Sequence, residues 1–166
     1  MTDEATSTEA LKPILVRSDE GDAHWWFGNL AVIKTTADES AGQLTIVEVT
    51  APPGLEVPLH VHRRDDEGFW ILEGDVTFEV DDATIEAHAG DYVFGPRDMP
   101  HRYTVGNNGC RMLFIMVPGG LEDLIRETSQ RAASRTIPPP PDGPPDPEYI
   151  ERVKAVGAEL GYELLG

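Results

Sequence analysis

His60 and His62 are separated by one residue, Glu67 follows after a short polar stretch, and a third histidine, His101, comes just after Pro96 and Pro100. In an extended strand, side chains two apart share a face, so His60 and His62 can present two imidazoles to one point. Residues 63–66 read as a four-residue polar turn, which returns Glu67 on the neighbouring strand beside them. His101 opens a later strand after the proline-bounded turn and offers a fourth donor. Three nitrogens and one carboxylate oxygen suit one divalent first-row transition metal: Ni, Fe, Mn or Co, with Zn or Cu also accommodated. Ca and Mg favour all-oxygen shells. Four protein ligands on an ion that favours five or six leave room for water, substrate or dioxygen, so the group reads as a catalytic site. Phe69 lies two after Glu67 and Tyr103 two after His101, which places both toward the interior as candidate substrate-pocket residues.

Other candidates read as structural. In the run 84–88, Thr84, Glu86 and His88 share one face, which directs His88 to solvent. His24 reads as a surface loop residue. Glu56, Asp65 and Asp66 read as solvated turn charges, and Arg63 and Arg64 as surface ion-pair partners. The single cysteine, Cys110, has no thiol partner in the chain and reads as a packing residue.

These residues need a β scaffold, and the chain supplies one. Runs rich in Val, Ile, Thr, Phe and Tyr recur at 30–36, 43–50, 69–72, 76–80, 84–88, 92–94, 101–105 and 111–117, separated by Gly, Pro and Asp clusters. Many short strands with turn chemistry between them indicate an all-β sandwich or barrel. The aromatic residues, including Trp70, Tyr92 and Phe94, are expected to fill and line it. Beyond Pro118, residues 121–135 carry a helical pattern, acidic at the start and with Arg131 and Arg135 in the last turn. Residues 138–147 are dominated by proline and should run extended. A second amphipathic pattern follows, with Ile150, Val153, Val156 and Leu160. The expected division is a flexible N-terminal segment over 1–23, a barrel over 24–118, a helix over 119–137, a Pro-rich strap over 138–147, and a C-terminal helix docked on the barrel over 148–166.

The chain has 166 residues with 13 Lys plus Arg against 30 Asp plus Glu, a net charge of −17. That length buries a core without disulfides. The acidity argues against nucleic acid and anionic membranes, whose binders rely on clustered cations. The opening ten residues lack a basic start and an apolar stretch, and the expectation is a cytoplasmic protein handling a small molecule. Trp25, Trp26 and Phe27 together with the last helix face would form a large apolar patch if exposed, so a homodimer built on the barrel sheet with the N-terminal segment contributing is expected.

Gly54, His60, His62, Glu67 and Gly74 match every spacing of the motif G-x5-H-x-H-x4-E-x6-G, which resembles the first motif of the cupins. Gly90, Pro96 and His101 resemble the second. Asp98 stands where that family usually has Gly, and Val105 where it usually has Asn. The resemblance implies a double-stranded β-helix, a jelly-roll barrel, here with C-terminal helices. The flanking residues 24–30 and 118–120, and the tail, resemble single-domain cupins related to bacterial quercetin 2,3-dioxygenase. That implies a metal-dependent dioxygenase acting on a small hydroxylated aromatic such as a flavonol, with Glu67 as metal ligand or as catalytic base. The alternatives are a cupin isomerase or cyclase of aromatic polyketide or sugar metabolism that works without dioxygen, and a non-enzymatic small-molecule-binding cupin.

Overall fold

A computed structural model describes residues 10–165; the first nine residues of the segment expected to be flexible, and Gly166, lie outside the described residues. In chain order the strands are β1 (Asp22–Trp26), β2 (Asn29–Thr35), β3 (Thr45–Ala51), β4 (Glu56–His62), β5 (Asp66–Val80), β6 (Ala83–His88), β7 (Tyr92–Gly95) and β8 (His101–Val117). Helix α1 (Leu121–Thr128), strand β9 (Gln130–Arg131), helix α2 (Pro147–Leu160) and strand β10 (Tyr162–Leu164) complete the described residues. Neighbouring strands run β10-β4-β8-β3-β2-β1-β9, and β5 pairs with β6, β7 and β8, all antiparallel. The sheet curls into a jelly roll without closing on itself, which is the all-β class the sequence indicates.

Strict alternation builds the interior. In β3, Thr45, Val47, Val49 and Ala51 are buried and the residues between them are not. This period of two is that of a half-buried strand. Val47, Val49, Ile71, Phe78, Met112 and Met116 are fully buried. Among the described residues no helix is long and apolar enough to cross a membrane.

The clusters at 73–75 and 106–109 do not end strands as their turn chemistry suggests. β5 and β8 run through them side by side, with the register shifting between Gly74 and Val76. Gly74, at φ 79°, is held so close that a Cβ there would lie 2.0 Å from the Gly109 carbonyl oxygen. A bulge of this kind bends a strand from one layer into the next.

β1 was read as a loop and is a strand, joined to β2 by a two-residue turn. Phe27 and Gly28 both have positive φ, 49° and 77°, the mirror-image turn that favours Asn-Gly. Left-handed backbone at a bulky residue costs about 1–2 kcal/mol. The helix read over 121–135 stops at Thr128, because Ser129 is extended and Gln130 and Arg131 pair with β1. Arg131 and Arg135 therefore reach Asp22 and the Gly21 carbonyl instead of a helix end.

Helix α2 has conventional ends: Asp146 accepts from the Glu148 N–H at 3.0 Å, Pro147 starts the first turn, and Gly161 closes it at φ 89°. The patch expected around Trp25, Trp26 and Phe27 is covered by the chain itself. Trp26 is buried and its Nε1 donates to Thr128 Oγ1, Trp25 Nε1 donates to the Thr136 carbonyl, and Phe27 packs on Tyr149. The exposed aromatics are instead Trp70, Tyr92 and Phe94, each about half exposed. Trp70 pairs with Tyr92 and Gly68 with Phe94, so alternation puts all three side chains on the outer sheet face rather than in the barrel.

Candidate metal centre

Strand β4 carries His60 and His62, β5 returns Glu67, and β8 opens with His101 directly beside His60 in the β4–β8 register. One ligand atom from each of these four lies within 4.8 Å of the others. The His60 and His101 ring centroids are 4.4 Å apart, and Glu67 Oε2 lies 3.3 Å from His62 Nε2 and 3.1 Å from His101 Nε2. Backbone contacts hold the framework: the Asp98 N–H donates to the His62 carbonyl at 2.7 Å, with Asp98 in the left-handed conformation at φ 63°. Aspartate tolerates that conformation, which explains why it can stand in the usual glycine position. Val105 is buried, and its backbone bonds both Leu55 and Gly54, so the turn is supported without an asparagine.

The three imidazoles are oriented from behind. Nδ1 of His60 donates to the Pro58 carbonyl at 2.7 Å, and Nδ1 of His101 to the Met99 carbonyl at 3.1 Å. A carbonyl can only accept, so both Nδ1 atoms carry the proton and both Nε2 atoms present lone pairs inward. His62 Nδ1 donates to Asp65 Oδ1 at 2.8 Å, and Asp65 Oδ2 accepts from the Tyr162 hydroxyl at 2.6 Å. Three inward lone pairs and a buried carboxylate repel one another unless a cation lies between them. The donor set therefore suits a divalent metal, and partners that fix each tautomer are what such ligands require.

The titration behaviour of His60 and Glu67 agrees. Loss of solvent, with His101 and His62 adding to it, lowers the His60 imidazole to about 4, so the ring is neutral and able to ligate. Burial pushes the Glu67 carboxyl up, but the combined pull of His62, His101 and His60 holds it below the ordinary carboxylate range. An ionised carboxylate is what a ligand requires, and it is also the form able to take up a proton, although the lowered value makes it the weaker base. Burial lowers His62, and Glu67 and Asp65 together outweigh it and raise the ring.

His60, His62 and Glu67 line a pocket that opens to solvent, with ≈ 680 Å³ of space when its open mouth is counted. Trp26, Phe27, Val57, Tyr103, Phe114 and Leu124 form much of its wall, and the tail adds Val153, Tyr162 and Leu164. The tail holds this position because β10 pairs with β4, Tyr162 opposite His62 and Leu164 opposite His60. Gly157 lets α2 approach: a Cβ there would lie 2.7 Å from the Tyr162 carbonyl oxygen.

The other sequence candidates are placed as follows. Tyr103 lines the cavity. Phe69 does not; it is buried in the core against Phe78, Phe114 and Tyr103, its ring 6.0 Å from that of His101. Asp65, read as a solvated charge, is buried behind His62. His24, read as a surface residue, is buried on β1 with Nδ1 against Ser129 Oγ at 2.8 Å. His88 is exposed. Arg63 does form surface ion pairs, with Asp98 and Glu163. Cys110 is buried and its thiol is pushed up to about 11 by burial, leaving it protonated and unreactive. The sequence reading missed Asn29, Asp65 and Tyr162. Asn29 alone had a local signal, a polar residue at the head of an apolar strand.

Residues 47–117 match the family model for the cupin domain. The chain is 25% identical over 148 residues to a quercetin 2,3-dioxygenase of Bacillus subtilis strain 168, covering 89% of this chain and 44% of that protein. It is 28% identical over 115 residues to a quercetin 2,3-dioxygenase of Aspergillus japonicus, covering 63% of this chain and 32% of that one. The chain thus spans less than half the length of either relative. KdgF from Halomonas sp. shares the fold, with a TM-score of 0.61 at 17% identity over 68% of this chain and 99% of that one. The matched segment contains all four grouped donors on the strands just described, so residues 47–117 carry a cupin-type domain and the chain resembles the quercetinase-like cupins.

Proposed function

We propose that this protein is a metal-dependent dioxygenase acting on a small hydroxylated aromatic such as a flavonol. The observation that carries the reading is that His60, His62 and Glu67 of the four-residue group line a pocket walled by aromatic and aliphatic side chains. Those walls suit a flat, apolar ligand. The relatives named quercetin 2,3-dioxygenase support the same choice of chemistry.

His60, His62 and His101 would hold one divalent ion, Ni, Fe, Mn or Co, through their inward Nε2 atoms, and Glu67 would complete the set. When bound, such an ion supplies a Lewis acid that acidifies a ligand hydroxyl and a centre able to engage dioxygen. Glu67 is held below the ordinary carboxylate range and lines the pocket, where its carboxylate can accept the proton of a substrate hydroxyl. The barrel over 24–118 would carry this chemistry, and the tail over 119–166 would wall the cavity. A cytoplasmic homodimer built on the outer sheet face completes the reading, without the contribution expected from the N-terminal segment.

Oxygen uptake on mixing metal-loaded protein with flavonols tests the proposal. Uptake that is stoichiometric with flavonol loss is expected. Conversion of the same flavonols under anaerobic conditions would overturn it in favour of an isomerase or cyclase.

A further inference from the structure

Asn29 opens β2 directly after the Phe27–Gly28 turn and is 2% exposed. Its amide nitrogen reaches the Phe27 carbonyl at 3.4 Å, a long hydrogen bond, and its Oδ1 is buried with no partner. Among the described residues one other buried side-chain atom shares that state, His24 Nε2, and Asp22 Oδ1 lies 3.0 Å from it. Asn29 is the one that lines the cavity shared with His60, His62 and Glu67. Buried polar atoms without partners are rare in folded proteins and mark strain, function or an absent ligand.

Among the described residues no group donates to that oxygen. Phe27, Val57, Leu121 and Leu124 offer no donor, and the indole N–H of Trp26 is committed to Thr128 Oγ1 at 3.0 Å. Turning the amide over would leave hydrogens unpaired in place of the oxygen, so in either orientation one polar atom faces a largely apolar cavity.

We propose that Asn29 is a specificity-determining residue: its amide takes the hydrogen bond of a hydroxyl or N–H on a small, otherwise apolar ligand seated beside the metal group. The inference rests on the reading of this cavity as a small-molecule site and adds what the ligand must carry, a donor placed away from the metal-facing end. A cavity built to bond such a donor discriminates against analogues lacking it, because the acceptor would then stay buried and unpaired.

The test compares phenol with toluene, molecules of similar size of which one carries a hydroxyl, on metal-loaded wild type and Asn29→Leu by ligand-observed NMR. The expected result is a shift of about tenfold in the ratio of the two dissociation constants, toward toluene, in the variant. The ligand-free variant should melt no lower than wild type, since it loses an unpaired acceptor. An unchanged ratio overturns the proposal, as does the absence of measurable binding of both probes to wild type. An unchanged ratio with a lowered melting temperature would instead assign Asn29 to holding the Phe27 turn. Should the Leu variant not fold, Asn29→Ala carries the same ratio measurement. Quercetin reports separately: a shifted phenol-to-toluene ratio with no oxygen uptake on quercetin removes the flavonol reading and keeps Asn29. Quercetin turnover with an unshifted ratio does the reverse.

Discussion

The Tyr162 hydroxyl donates a 2.6 Å hydrogen bond to Asp65 Oδ2 across 97 positions of sequence, and the other Asp65 oxygen holds His62 Nδ1 at 2.8 Å. The strand that ends the tail thereby fixes the tautomer of an inward imidazole. Burial and the neighbouring Asp65 raise the Tyr162 phenol, so it remains a donor across the physiological range. Partners of this kind typically contribute 10–100-fold to metal affinity. Tyr162→Phe should weaken metal binding by about tenfold, and Asp65→Asn by more, because the amide no longer balances the imidazole charge. Competition against a chromophoric chelator measures both. Unchanged affinity in the pair would reduce the contact to tail docking.

Glu67 separates the roles of ligand and base. In Glu67→Gln an amide oxygen can still coordinate weakly but cannot accept a proton. Metal content by elemental analysis should fall only in part, whereas turnover should drop by roughly 10²–10⁴-fold, the usual contribution of a positioned proton acceptor. Turnover that falls only in proportion to lost metal would confine Glu67 to coordination.

Most of the donor group was legible in the sequence because its logic is local. His60 and His62 share a strand face, a polar turn at 63–65, one residue shorter than expected, returns Glu67, and the turn before His101 survives the Asp98 substitution. The residues behind and beside it were not legible. Nothing near Asp65 announces a partner in β10, and charge alone made it look solvated. Phe27 is no turn former, which hid β1 and with it Asn29. Composition placed the aromatics inside, but strand alternation decides each case: Phe69 points into the core and Trp70 beside it points out. Phe69 shares its face with Glu67 as expected, yet it is packed among other core rings.

Acid should loosen the metal-free protein through His60. Its folded pKa of about 4 lies below the ordinary 6.5, so the unfolded chain takes up the proton first as pH falls. Stability from this group is complete above pH 6.5 and is lost between 6.5 and 4, by roughly 3 kcal/mol if unopposed. Glu67, held below its ordinary 4.5, adds a loss at the acid end of that window. His62 opposes both, since its raised pKa gives stability below 6.5 that fades as pH rises through the folded value. The melting temperature of metal-free protein should therefore fall from pH 6.5 to 4, and His60→Gln should flatten the decline. A slope as steep in that variant would assign the acid sensitivity elsewhere.

Trp70, Tyr92 and Phe94 set the last expectation, the state of assembly. They are 47%, 53% and 52% exposed, they sit on adjacent strands, and Val117, 47% exposed, extends the patch along β8. An apolar face of this kind on a sheet is unusual for a monomer, and a twofold pair is the commonest closure. A second copy would cover each patch with its own equivalent. The net charge of −17 per chain works against that pairing, so added salt should strengthen it by screening the repulsion. Light scattering coupled to size exclusion should give twice the chain mass of 18.2 kDa at moderate salt. Trp70→Lys combined with Phe94→Lys places cations in the middle of the face and should return the single-chain mass while leaving the interior, and metal content, as they are. A wild-type mass near 18.2 kDa at every salt concentration would show that the face stays open to solvent in the isolated protein.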